Sequence, residues 1–228
     1  MIQGLYSAAA GMYANMDEQD VIANNLANVS TPGYKRQVST FSTFDAKLQT
    51  AAQSIDQSST AVADPPPVTP SIAVSADNSA GPVQQTNVPT DLALDGPGSF
   101  VVQTSSGTKL TRDGSFHLDG TGHLLASDGS HVLGERGPIQ VSTGSPLSVD
   151  SDGTVRSGSS VVDKLKIDEP AGSKTQTQVQ SGCIESSNVN TVREMVSMIS
   201  AMRSYEACSK VIKNLDQTMD KVINQMSR

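Results

Sequence analysis

Two helical apolar stripes at the extreme ends of this chain restrict its fold more than any other feature. Near the start, Ile2, Leu5, Ala9, Met12, Met16, Gln19, Ala23 and Leu26 recur in strict steps of three and four, with Gln19 the one polar member. From residue 190 onward, Val192, Met195, Ile199, Met202, Tyr205, Cys208, Ile212, Leu215, Met219, Val222 and Met226 do the same. They show one three-residue slip around Tyr205, of the kind that overwinds a coiled coil locally. Thr191 followed by Glu194 reads as a capping box that opens this second helix. The first helix should end near Val29, because Pro32 cannot continue it and Gly33 is free to turn. Each stripe needs a partner, and the spacing predicts that each covers the other. The bland alternative is two amphipathic helices on an ordinary mixed core. Stripes at both termini, flanking a middle of different composition, argue instead for an elongated element closed by both ends of the chain.

Composition agrees that little is buried within one copy. Only 36% of residues are apolar, aromatics are 4% and Trp is absent, so stability is expected to depend on neighbours. All eight methionines lie in or beside the terminal stripes, where thioethers adapt to uneven packing partners. Small residues at Ala8, Ala9, Ala10, Gly11 and Ala14 give the first helix an edge that another helix can approach closely. A formal charge of −7 without a basic cluster excludes nucleic acid and anionic lipid as expected partners. No apolar run is long enough to span a bilayer, so no membrane insertion is expected. Without Lys or Arg before Lys35 the N-terminus does not read as a cleavable signal peptide. Either the chain stays in the cytosol or it leaves by a route that uses no such signal. Cys183 and Cys208 form neither a disulfide framework nor a metal site by spacing, and Cys208 reads as a small buried hydrophobe.

Between the helices the character changes twice. Residues 37–90 read as an extended linker rich in Ser, Thr, Gln and Pro, with a proline run at 64–70 that excludes helix and a short strand at 72–74. From Asp91 to Gly182, short β-prone runs alternate with turn pairs such as Asp113-Gly114, Thr121-Gly122, Asp128-Gly129 and Asp152-Gly153. That pattern predicts a compact, mostly antiparallel β domain. No catalytic site emerges. Arg112 and Asp113 precede a turn glycine, where charges are commonly solvated or capping. His117, His123 and His131 match no zinc motif, and Gly96 and Gly98 lead into a strand where a dinucleotide site needs a helix. No cofactor and no metal is therefore expected, and no enzyme.

Three asparagines in five residues, Asn24, Asn25 and Asn28, are unfavourable inside a helix end and are expected to bond across to another segment. They belong to the run Ile22-Ala23-Asn24-Asn25-Leu26-Ala27-Asn28-Val29, followed by Thr31, Gly33, Tyr34 and Lys35. With the opening Gly4-Leu5-Tyr6-Ser7-Ala8-Ala9-Ala10-Gly11-Met12, this run resembles the flagellar basal-body rod and hook family. The other end is similar to the same family through Glu185-Ser186-Ser187-Asn188-Val189-Asn190, Glu194-Met195-Val196, Ile199 and Arg203-Ser204-Tyr205-Glu206. The order Asp91-Leu92-Ala93-Leu94, Gly96, Gly98, Phe100 and then Thr111-Arg112-Asp113-Gly114-Ser115-Phe116 resembles its central β domain. Residues 134–139 look more like proximal than distal rod members. The stretch between Ile167 and Gly182 is short for the family.

The resemblance implies a structural subunit that polymerises with itself and with other rod proteins into a hollow, torque-transmitting tube. It also implies passage through the flagellar type III export apparatus and a place in the periplasmic basal body. A secreted fibre or adhesin subunit with a coiled-coil stalk is the alternative, but it calls for one contiguous stalk. The expected fold is α+β, with the N- and C-terminal helices pairing as a coiled-coil-like core around a central antiparallel β domain. Its expected parts are 1–36, 37–90, 91–182 and 183–228. The assembly interface is expected on Leu5, Ala9, Met12, Met16, Ala23, Asn24, Asn25, Leu26 and Asn28 of the first end. On the second it falls on Asn188, Asn190, Met195, Ile199, Met202, Tyr205, Ile212, Leu215, Met219 and Val222.

Overall fold

The computed structural model describes residues 2–42, 71–142, 146–169 and 177–226. They form two helices and fifteen strands. Helix α1 is Ile2–Ala27, and strands β1 (Gln37–Ser42), β2 (Ser71–Ala76), β3 (Val83–Gln85), β4 (Leu92–Asp95) and β5 (Ser99–Thr104) follow. Next come β6 (Gly107–Thr111), β7 (His117–Leu118), β8 (Leu124–Leu125), β9 (His131–Val132) and β10 (Leu147–Val149). The last strands are β11 (Thr154–Ser157), β12 (Ser160–Lys164), β13 (Ile167–Asp168), β14 (Gln178–Ser181) and β15 (Cys183–Glu185), before helix α2 (Thr191–Met226). The chain is thus α+β with antiparallel sheets, and its N- and C-terminal helices pack together.

By internal contacts it divides into two units. One holds Met1–Ala27, Gln37–Asp77 and Asn190–Arg228; the other holds Asn28–Arg36 and Asn78–Val189. In the first unit, α1 stops at Ala27, two residues before the expected end, and gives way to a hydrogen-bonded turn from Asn28. Strands β1 and β2 pair antiparallel from Gln37 opposite Ala76 to Ser42 opposite Ser71. The span read as a linker therefore carries a paired strand at each side of residues 43–70. The proline run at 64–70 lies outside the described residues.

Helix α2 opens differently from the capping box read in the sequence. Asn190 is its N-cap: Oδ1 accepts the Arg193 N–H at 3.0 Å and its carbonyl accepts the Glu194 N–H at 3.0 Å. Glu194 does not reach back to the cap. Its side chain is buried and bonded elsewhere.

The second unit is the β domain. Strand β5 is central, with β6 along one edge and β9 and β13 along the other, and the sheet continues through β8 to β7. Strands β10, β11 and β12 make a separate meander. Leu92, Leu94, Phe100, Val102, Leu124, Val132 and Val155 lie in one buried cluster, where the rings of Phe100 and Phe116 meet edge to face at 5.1 Å. The late strands return to the early ones: β14 pairs β4 and β15 pairs β3. Gly33 approaches so closely that an added Cβ would lie 2.2 Å from the Arg112 carbonyl carbon. Its φ of +67° also favours glycine.

Candidate assembly interface

The two helices meet at contacts that fix their direction. Asn25 Nδ2 donates to Glu194 Oε2 at 3.2 Å, and a Cβ placed on Gly11 would sit 3.3 Å from Cys208 Sγ. Fourteen residues separate the contacts on each helix (25 − 11 and 208 − 194), so the helices run antiparallel in constant register. At 1.5 Å per residue that is roughly 21 Å of axis.

Burial shows which faces turn inward. On α1, Ala8, Gly11, Asn15, Glu18, Ile22 and Asn25 step by 3-4-3-4-3 and none is exposed, although Ala9, Ala10, Met12, Ala14, Gln19, Val21 and Leu26 are unexposed as well. On α2, Glu194, Met198, Ala201, Tyr205, Cys208, Ile212 and Leu215 step by 4-3-4-3-4-3, and none is exposed. The three-residue slip read around Tyr205 is therefore absent from the inward row. It came from joining Met195, Ile199 and Met202, which lie on the neighbouring face, to Tyr205, Cys208, Ile212 and Leu215, which lie on the inward one.

The expected interface residues divide accordingly. Leu5 is 42% exposed, Met16 47%, Met195 49%, Ile199 53%, Met202 51% and Met219 40%. Ala23 and Asn24 are exposed too, whereas Ala9, Met12 and Leu26 are half-buried. Tyr205, Ile212 and Leu215 are half-buried on the inward row, and the side chain of Val222 lies outside the described residues. Among the described residues, eleven of the seventeen exposed large hydrophobics lie on α1 and α2. The buried apolar side chains of this unit, among the described residues, are only Val21, Ile22 and Ala201.

The asparagines act within the chain. Asn25, 1% exposed, takes both backbone groups of Gln37: its Nδ2 donates to the carbonyl and its Oδ1 accepts the N–H, each at 2.8 Å. Its carboxamide thus pairs with β1 as a neighbouring strand would. Asn28 Oδ1 accepts the Thr31 hydroxyl at 3.3 Å. Asn188 Oδ1 accepts the Arg36 N–H at 2.7 Å while its Nδ2 donates to the Ser79 carbonyl at 3.1 Å. Asn190 caps α2.

Glu185, quoted in the sequence only as part of a signature, is the polar centre of the second unit. It is 1% exposed. Lys35 Nζ lies 2.6 Å from Oε1, the Gly81 N–H donates to Oε1 at 2.8 Å, and Arg112 Nη1 lies 3.0 Å from Oε2. The Glu185 carbonyl also accepts the Gly33 N–H at 2.7 Å. Burial acts to raise the carboxyl pKa, but the Lys35 hydrogen bond, the Gly81 N–H and the charges of Lys35 and Arg112 outweigh it and hold it below the usual carboxylate range. Arg112, expected to be solvated or capping, is instead locked to this carboxylate and to the Gly96 carbonyl. Asp113 does cap, accepting the Ser115 N–H at 3.0 Å. Lys35 and Glu185 stand 150 residues apart, which is why no local pattern exposed the cluster.

Three family models match this chain. They are flagella basal body rod protein over residues 5–35, flagellar hook protein FlgE/F/G D1 domain over 93–157, and flagellar basal body rod FlgEFG protein C-terminal over 180–226. The flagellar basal-body rod protein FlgG of Bacillus subtilis is 30% identical, covering 98% of this chain and 99% of its own length. The flagellar basal-body rod protein FlgF of Escherichia coli K12 is 30% identical over 95% of each chain. A FlgG of Buchnera aphidicola subsp. Baizongia pistaciae is 33% identical over 97% of this chain and 99% of its own. With both helical ends and the β domain matched, the chain belongs to the flagellar basal-body rod protein family, whose members are structural proteins and not enzymes.

Proposed function

We propose that this rod subunit polymerises through its terminal helices into a hollow tube that transmits torque along the flagellar axis. One observation carries the reading. Leu5, Met16, Met195, Ile199 and Met202 stay exposed beside a closed contact between α1 and α2, in a unit that buries almost no apolar side chain among its described residues. Exposed apolar rows of this kind are covered by partners. In this reading the two helices form an antiparallel coiled coil, and its outer rows meet those of neighbouring copies and of other rod proteins. A head-to-tail contact repeated by a screw operation gives an open tube. Residues 1–36 and 183–228 supply the tube's core, 91–182 the domain it carries and 37–90 the connection. The resemblance of residues 134–139 favours the proximal part of the rod. Export through the flagellar type III apparatus without signal cleavage, and assembly in the periplasm, complete the proposal.

The test is Ile199→Asp in the full chain. An exposed substitution should leave the melting profile within about 0.5 kcal/mol of the wild type. Concentration-dependent assembly in sedimentation should be lost, because a carboxylate would be buried at each new contact. A variant that assembles as the wild type does would refute the role of this row.

A further inference from the structure

The spacing of the chain's three histidines matches no zinc motif, but the sheet brings them to one face. His117 on β7 pairs with Leu125 on β8, and Leu125 pairs with His131 on β9. His123 precedes Leu125 by two residues and so points to the same side. The rings of His123 and His131 then meet, with centres 5.3 Å apart and planes at 81°. Each has a buried Nδ1 without a hydrogen-bond partner. Among the described residues the only other buried side-chain polar atom without a partner is Ser157 Oγ, on β11, so two such nitrogens on adjacent rings call for an explanation. Asp119 is not their partner: its Oδ1 accepts the Thr121 and His123 N–H groups and its Oδ2 accepts the Thr121 hydroxyl.

We propose that His123 and His131 form a two-imidazole site for a borderline divalent cation such as Zn2+, Ni2+ or Cu2+. A tetrahedral ion about 2.1 Å from one nitrogen of each ring lies roughly 3.2 Å from each ring centre and holds the centres roughly 5.3 Å apart, which matches the observed 5.3 Å. Imidazole χ2 is soft, so modest rotation aims both nitrogens at the shared ion. The donors are neutral nitrogens. They suit these borderline metals and not Mg2+ or Ca2+, which take oxygen ligands. Among the described residues no cluster of three or more His, Cys, Asp or Glu is placed to hold a metal. Water therefore fills the remaining positions, and the site is exchangeable. His131 also lines an open groove with Gln103, Thr104, Asp128 and Ser130, which gives the ion a path.

The experiment is calorimetric titration of the full chain with Zn2+ and, separately, Mg2+. One saturable Zn2+ site per chain and no Mg2+ binding are expected. Removing even an outer partner of a metal ligand costs about 10- to 100-fold in affinity, so His123→Gln and His131→Gln should each weaken Zn2+ binding at least tenfold. His117→Gln should leave it unchanged. Cu2+-loaded wild-type protein should show two imidazole nitrogens by electron paramagnetic resonance, a readout that does not depend on any variant folding. No saturable Zn2+ binding, binding unchanged in His131→Gln, or a Cu2+ spectrum without two imidazoles would overturn the assignment.

Discussion

Glu185→Gln keeps the side chain's shape and an acceptor oxygen while removing its charge. Lys35 and Arg112, whose side chains are 13% and 9% exposed, would then hold positive charge in the interior with no anion between them. Breaking a buried ion pair by removing one partner costs about 3–5 kcal/mol, because the remaining charge stays desolvated. The Gln carbonyl retains one hydrogen bond, so the lower end, about 3 kcal/mol at neutral pH, is the expected loss. The pH dependence has a definite sign. The folded-state pKa of Glu185 is depressed, so its stabilisation is complete above the unfolded value, about 4.3, and is lost as pH falls through the folded value. Glutamine does not titrate there. The gap between wild type and variant should be widest near neutrality and close in acid. Urea unfolding of both full chains by circular dichroism at stepped pH measures it. A loss below about 1 kcal/mol at pH 7, the level of a solvated surface pair, or a gap that stays constant into acid, would refute the reasoning.

Asn25→Ala should destabilise the first unit by about 1–3 kcal/mol for each buried group left unsatisfied. Gln37 loses partners for both its N–H and its carbonyl, and Glu194 loses a donor; the midpoint of thermal unfolding is the measure. Gly11→Leu would drive a side chain into Cys208, since even a Cβ reaches within 3.3 Å of its Sγ. In a Cys183→Ser background, alkylation of Cys208 should become faster, and an unchanged rate would show that the helices do not touch there.

The β domain was legible because its signals are local. Asp128-Gly129 and Asp152-Gly153 form turns at glycines with φ of +80° and +84°, and the apolar runs between such pairs become strands around Phe100, Val102 and Val155. The asparagine run was legible as a source of bonds to other segments, and Asn25 makes them, as does Asn188 outside that run. Their destinations were not, because Gln37, Glu194 and Ser79 lie in other segments. The same distance in sequence hid Glu185. Asn190 was readable in principle as a stronger N-cap than Thr191, but the Thr-x-x-Glu pattern drew attention to a Glu194 that the fold uses to hold α1.

The helical rows show a different limit. Periodicity finds where large apolar residues recur; it does not say what covers them. On α1 the inward row of Ala8, Gly11, Asn15, Glu18, Ile22 and Asn25 is small or polar at all but one position, so a count of apolar repeats passes over it. The apolar row of Ala9, Met12, Met16, Gln19, Ala23 and Leu26 stands one residue further along, about 100° around the helix. On α2 the exposed Met195, Ile199 and Met202 stand one residue beyond Glu194, Met198 and Ala201. The displacement has the same sense on both helices, so one cause serves for both. Small residues such as Gly11 and Ala201 let the helices approach closely on faces that bury little, and Met16, Met195, Ile199 and Met202 beside them are left exposed, while Met12 and Leu26 are half-buried. Had those side chains been the chain's own core, the first unit would bury more than Val21, Ile22 and Ala201. Their exposure, among the described residues, leaves an apolar surface on this unit for the proposed contacts with neighbouring copies to cover.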